Sequence, residues 1–365
     1  MSLAPAEMSE SSDSSQRPSR PTSKFVRTMR KVYRPLGFAK GYNFPLFVIF
    51  AGALMGFVLA RFSYLNVSGD APSSFASGGA PGEWYHYRNG HYRIGITMHL
   101  AACLPAGFLV VWQFVPVIRH KFLLFHRING YLVIVLTLIS NVGALMICRR
   151  SFGGGLDTQS AVGTLAILTT ASIGMAYYNI KRLQIDQHRA WMLRMVFYLG
   201  TIITTRIIMI LSALIISMIG SYYHAQSCDQ IVFVNDGDAG KVESVYPGCA
   251  NRTASSDPYV VVSANLAGGR AEEAGASLDL SFGSAIWLAI FLHVVGVEIY
   301  LNLTPAETDR LRNVSYERQL EAGYEHPGSA GLTADRWGDA PEWKPASQPA
   351  IQHVEHAPLK DGSRR

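Results

Sequence analysis

The 365-residue chain has no Walker phosphate loop, no glycine-rich dinucleotide fingerprint and no serine-nucleophile elbow. Nothing in it marks nucleotide hydrolysis, nicotinamide binding or a serine-hydrolase site. Cysteine is scarce, at four residues, and charged residues make up only 16%. Strand signals are missing from the apolar segments, and no internal repeat stands out beyond two His-Arg openings described below. What the chain has is apolar length. Its 49% of hydrophobic residues gather in blocks of about 20, the length a helix needs to cross a bilayer.

Six such blocks occur, at 45–62, 94–118, 129–148, 161–180, 195–219 and 283–303. In lipid only internal hydrogen bonds satisfy the backbone, so all six are expected to be helices. This predicts an all-α integral membrane protein with six transmembrane helices. Residues 1–44 are too long and polar for a cleaved signal peptide, so the first span is expected to act as an uncleaved anchor. Residues 1–23 are rich in Ser, Pro and Thr, and the tail 304–365 in charge, Pro and Gly; both read as disordered.

Lysine and arginine set the expected orientation. They crowd the N-terminal segment (Arg17 to Lys40), the 2–3 connection (Arg119, Lys121, Arg127) and the 4–5 connection (Lys181, Arg182, Arg189). Both termini are therefore expected in the cytosol, although Arg149 and Arg150 run against the trend. The loops 63–93 and 220–282 then lie outside. Each carries a glycosylation sequon, at Asn66 and Asn251. Cys228 and Cys249 are the two cysteines of the long loop, and an oxidising lumen favours a disulfide between them over two thiols. These signals point to the secretory pathway, in the endoplasmic reticulum or plasma membrane. The loop 220–282 reads either as a small disulfide-closed cap or as floppy chain. Cys103 and Cys148 fall within spans, as small hydrophobes.

Residues 24–34, KFVRTMRKVYR, place Phe25, Met29 and Val32 on one helical face among basic residues. That pattern suits a helix on an anionic leaflet and equally an ordinary positive-inside flank. The positive charge is juxtamembrane, so it argues for lipid and not for nucleic acid. Trp84, Tyr85, Tyr87 and Tyr92 read as an interfacial belt. Gly52-x-x-x-Gly56 permits close helix packing within one chain or between copies.

Ionisable residues inside spans usually face a cavity, a partner or a cofactor. His99, Arg206, His293 and Glu298 lie within the apolar blocks, and His126 and His188 open the third and fifth. His188 and Arg206 are five helical turns apart, on one side of a continuous helix and about 27 Å along it. Arg194, Tyr198, Thr201, Thr205 and Ser212 form a second polar stripe, so this helix is expected inside the bundle, if only for interhelical hydrogen bonds.

Two openings carry a family resemblance. His188-Arg189-x-Trp191-Met192-x-Arg194, with Arg206 further on, resembles the signature of the membrane family domain of unknown function 2306. His126-Arg127-x-x-Gly130-Tyr131 is similar to another opening of that family, with the tyrosine placed differently. His99 followed by Trp112-Gln113-Phe114 is similar to its preceding span. The resemblance covers about 94–215 and implies a four-helix core of spans 2–5, but no activity. The openings are also loosely similar to transmembrane b-type cytochromes.

Three functions fit these residues. The first is haem b binding with transmembrane electron transfer, using His126 with His188 or His99 with His293, and Arg206 or Arg127 near propionates. The inner pair is level but at the headgroup boundary, and the outer pair differs in depth by roughly 7 Å. The redox partner is left unspecified. The second is a transporter or lipid-binding bundle, with Arg206 on an anion and His99 and Glu298 as its proton-responsive partners; no glycine- or proline-broken helix pair supports it. The third is a structural or assembly protein, with Arg206 in a buried ion pair. His99 and Cys103, at i and i+4, are too few for a zinc site.

Overall fold

The computed structural model describes residues 24–38, 41–69, 71–253 and 255–345. The disorder expected of 1–23, the side chain of Phe25 and the stretch 346–365 lie outside the described residues. The chain begins with α1 (Lys24–Tyr33) and α2 (Asn43–Arg61), then two short helices, α3 (Phe75–Gly78) and α4 (Glu83–Tyr87). Next come α5 (Gly90–Val110), α6 (Pro116–Lys121), α7 (Leu123–Ile147), α8 (Leu156–Lys181) and α9 (Ile185–Ile219). A cap follows, of β1 (Tyr223–Ser227), α10 (Cys228–Val234), α11 (Ala239–Val245) and β2 (Tyr259–Ser263). The chain ends in α12 (Ala271–Asn302), α13 (Pro305–Glu321) and α14 (Ala334–Trp337).

Six of these helices, α2, α5, α7, α8, α9 and α12, are long and apolar enough to cross a membrane. The all-α, six-span expectation is met. The helices outrun their hydropathy blocks, because hydropathy detects only the apolar middle. The fifth begins at Ile185 and not at 195, and the sixth at Ala271 and not at 283. A 35-residue helix reaches about 52 Å against a hydrocarbon core of roughly 30 Å. The surplus of α9 and α12 therefore extends beyond the apolar layer. Arg206 lies 206 − 185 = 21 residues into α9, or about 32 Å.

Glycine sets the closest helix approaches. A Cβ on Gly143 of α7 would stand 2.6 Å from the His99 backbone nitrogen of α5, and one on Gly95 2.8 Å from Ile147. A Cβ on Gly107 would meet Val58 of α2 at 2.7 Å. The sixth span joins the core of spans 2–5: α12 packs along α8 and α9 and buries Phe282, Ala285, Ile286 and Ile290 against Phe152, Ala161 and Met209.

The loop after α9 is a folded cap. Gly220, at φ +71°, ends α9 in the left-handed conformation glycine adopts readily. β1 and β2 pair antiparallel, with Tyr223 opposite Ser263. A disulfide joins Cys228 to Cys249, with Cα atoms 5.5 Å apart. Ile231, Val242, Val262 and Ala276 close around it. Exposed Asn66 and Asn251 sit at this end too.

The tail from 304 is not disordered as far as it is described. Charge and glycine content hid a set of partners on the α8–α9 turn. Buried Gln184 accepts from Gly331 N at 3.0 Å and from Gln319 Nε2 at 2.9 Å, and donates to Gly328 O at 3.0 Å. Asn179 accepts from Leu332 N at 2.8 Å, and Ser315 donates to Asp186 at 3.0 Å. At the same end Val117 N donates to Leu36 O at 3.0 Å, tying the N-terminal segment to the 2–3 connection. The described N- and C-terminal segments thus share one end of the bundle, opposite the cap.

Candidate functional site

The sequence-selected histidines separate into different places. His188 Nδ1 donates to Ala176 O of α8 at 3.0 Å, an arrangement that fixes a ring and leaves Nε2 available. His126 lies within electrostatic reach of it, and its Nδ1 is buried with no partner. Arg127 is exposed. His293 has both ring nitrogens engaged on α9: Nδ1 donates to Phe197 O at 2.6 Å and Nε2 accepts from Thr204 at 2.8 Å. His99 instead faces α7, with Nδ1 3.1 Å from both Ser140 O and Ser140 Oγ. The outer histidines are thus committed to different helices. Glu298 is not a partner of Arg206. It holds Arg194 through two hydrogen bonds, of 2.6 and 2.9 Å, while Arg194 stacks on Trp191. Among the described residues no group of three or more His, Cys, Asp and Glu could hold a metal ion.

Arg206 anchors a different constellation, on the cap side. Its guanidinium sits 4.5 Å from the Phe152 ring centroid and 5.5 Å from that of Phe282. Its hydrogen-bond partner is the Met209 sulfur, at 3.8 Å. Among the described residues no carboxylate lies within ion-pair distance of it. The buried ion pair expected of Arg206 in a structural or assembly protein is therefore not formed among the described residues. Glu83, Tyr87 and Arg61 are within its electrostatic reach, and it is in turn within reach of His99.

Glu83 was invisible in the sequence, inside an aromatic run read as an interfacial belt. It is 6% exposed and Tyr87 is 1% exposed, so this turn of α4 faces inward. The Tyr87 hydroxyl donates to Glu83 Oε2 at 3.2 Å, and Phe152 N donates to Oε1 at 2.7 Å. Burial pushes the Glu83 carboxyl up from 4.5 to about 7, against those two hydrogen bonds and the Arg206 charge, which pull it down. A carboxyl poised there can both take and give a proton near neutrality.

The turn 151–154 carries these contacts. Phe152 is held at φ +45°, followed by Gly153 at +71° and Gly154 at +59°. A left-handed phenylalanine is strained and needs support from its surroundings. Stacking on Phe282, at 4.4 Å and 14°, supplies it, with Arg206 over the ring. Next door, a Cβ on Gly153 would meet His224 Nε2 at 3.0 Å and Asp279 Cβ at 3.1 Å. Asp279 is buried, within electrostatic reach of Glu83, and lies 3.8 Å from His224. Helix α4, turn 151–154, β1, α9 and α12 thus converge on one buried polar cluster.

The comparisons bear on this geometry. Residues 96–232 match the family model described as a predicted membrane protein, DUF2306. This segment is similar to that family. It holds His99, His126, Phe152, His188, Arg206 and His224, while Glu83, Tyr87, Asp279 and Phe282 come from outside the matched DUF2306 segment. The Ava biosynthesis cluster protein G of Aspergillus versicolor is 25% identical over 325 residues, covering 76% of this chain and 94% of that protein. No solved structure matches.

Proposed function

We propose that this membrane protein is an enzyme that moves a proton on a lipophilic small molecule bearing a carbonyl or carboxylate. The observation that carries the reading is Arg206: a guanidinium between two phenylalanine rings, without a carboxylate at ion-pair distance, beside a carboxyl poised near neutrality. A cation in this setting stabilises negative charge developing on an oxygen. Glu83 takes the proton from the carbon next to a carbonyl. The electron pair moves onto the carbonyl oxygen, where Arg206 holds it. Return of the proton at another carbon gives an isomer, with no oxidant or reductant consumed. Tyr87 and Phe152 N orient Glu83. A relative named for a biosynthesis cluster is in keeping with such a substrate. Deleting the gene in the organism that carries it and profiling lipophilic extracts by mass spectrometry tests this. The reading predicts accumulation of a compound isomeric with the product made when the chain is restored. Movement of one unchanged compound across the membrane would favour transport instead.

A second reading keeps the inner corner. Unpartnered His126 Nδ1 beside a ring-fixed His188 supports a haem b ligand pair for electron transfer, which oxidised and reduced absorbance spectra of the purified protein test directly. The charge pattern and sequons support a luminal cap, cytosolic termini and anionic lipid at α1, whose basic residues flank one groove. Binding of α1 to vesicles with and without anionic lipid tests the last.

A further inference from the structure

At the end opposite the cap, α1 repeats basic residues at helical spacing. Arg27, Arg30, Lys31 and Arg34 stand at i, i+3, i+4 and i+7 and so share one face. The Arg34 amide still donates to Arg30 O at 3.2 Å, which carries the face past the last residue of the helix. With Pro35 these four cations line a groove of about 490 Å³. The helix itself contains no acid, and among the described residues no carboxylate forms an ion pair with any of the four. The groove is also fixed in place. Tyr33 and Phe38 are buried, and their ring centroids lie 6.0 and 5.6 Å from that of Phe44, in the first turn of α2. Gly37, at φ +88°, forms the turn after α1, and a Cβ there would stand 2.9 Å from Val117 N. Val117 N in turn donates to Leu36 O at 3.0 Å. We propose that this groove holds the headgroup of a membrane lipid that carries two phosphomonoesters. This rests on the reading of α1 as a helix at an anionic leaflet and adds which lipid it selects.

Charge selects the ligand class. A phosphodiester or serine headgroup brings a single net negative charge and would leave most of the groove unmatched. A phosphomonoester carries roughly −1.5 to −2 near neutrality, so two of them bring about −3 to −4, against four cations in the groove. Three of those cations are arginines, whose planar forks pair with two phosphate oxygens at once, and Lys31 adds a compact charge. The concave shape lets one headgroup meet several of them together. The Tyr33–Phe44 contact places the groove where the first span begins, at headgroup level. Because the turn is already pinned to α2 and α6, little ordering is needed on binding. The neighbouring α6 adds Arg119, His120 and Lys121 and no acid. Glu307 of α13 lies within electrostatic reach of Arg119 and His120, but Arg310 already holds it through two hydrogen bonds, of 2.8 and 2.9 Å.

Calorimetric titration of the full chain in uncharged detergent tests this. The probes are dioctanoyl phosphatidylinositol bisphosphate, dioctanoyl phosphatidylserine and free inositol trisphosphate. The bisphosphate lipid should bind once per chain and at least about 10-fold more tightly than the serine lipid. Arg27→Gln combined with Arg30→Gln should weaken it about 25-fold, at roughly 5-fold per cation. Lys24→Gln removes a charge from the same helix outside the groove and should change the affinity by less than about 2-fold. Gly37→Ala keeps every charge but disturbs the pinned turn, so it should weaken the bisphosphate lipid and leave the serine lipid as it was. Thermal melting of each variant shows that the bundle is folded. A folded double arginine variant that binds the bisphosphate lipid like the wild type would overturn the proposal. Binding of free inositol trisphosphate as tight as that of the lipid would overturn the lipid as the source. Equal affinity for the two lipids would overturn the selectivity while leaving the anionic-leaflet reading standing, whereas binding of neither lipid would reject both.

Discussion

At the scale of single residues, the decisive contrast is between charges that are paired and charges that are held ready. Arg194 is neutralised by Glu298, whereas Arg206 meets rings and a thioether. Glu83 carries a pH signature. Its carboxyl is raised from 4.5 to about 7 in the folded chain, so between those values the native state binds a proton that the unfolded chain does not. The resulting stabilisation is fully present below about 4.5 and is lost as pH rises through about 7. Denaturation of the detergent-solubilised protein should show this decline across that window, and Glu83→Gln should flatten it. Gly153→Ala should destabilise by about 1–3 kcal/mol, since the position has positive φ and faces His224 and Asp279. An unchanged melting temperature would speak against the tight turn. Arg206 and His99 were legible in the sequence because charge in an apolar run stands out. Glu83 was not, because the aromatic residues after it, Trp84, Tyr85, Tyr87 and Tyr92, imitate a membrane belt. Asp279 escaped because the apolar block begins after it, although its helix does not.

At the scale of elements, two features follow from helix length and from glycine. α9 and α12 outrun their apolar blocks at their starts: the added turns of α12 position Asp279 under the cap, and those of α9 meet the docked tail. α5 and α7 approach through Gly95 and Gly143. Gly143→Ala should overpack that contact and cost about 1–3 kcal/mol, read as a lower midpoint of unfolding. The ordered tail gives a sharper expectation. Removing the Gln319 amide strips partners from Gln184, Arg182 O and Gly328 N. Gln319→Ala should therefore cost about 1–3 kcal/mol locally and open 322–345 to limited proteolysis. Resistance equal to the wild type would contradict the docked tail. No composition rule could foresee this docking. The segment is polar, and its partners are amides on a turn more than a hundred residues away.

At the scale of the whole molecule, a six-span bundle has unlike ends. One end bears the disulfide-closed cap over the Glu83–Arg206 cluster; the other joins α1, the docked tail and the His126–His188 corner. The spans and their order were legible because hydrophobic length is a property of sequence alone. The convergence was not, because its members come from five separated elements and only folding brings them together. Reduction of Cys228–Cys249, which spans 21 residues, should cost about 3 kcal/mol in the cap, seen as early loss of cap protection in hydrogen exchange. The central claim is that the cap-side cluster, and not the histidine corner, carries the function. Complementation of the gene deletion tests it most directly, with membrane levels of each variant matched. Glu83→Gln and Arg206→Lys should fail to remove the accumulated compound, while His126→Ala and His188→Ala should remove it as the wild type does. The opposite pattern, with cluster variants active and histidine variants dead, would contradict the account.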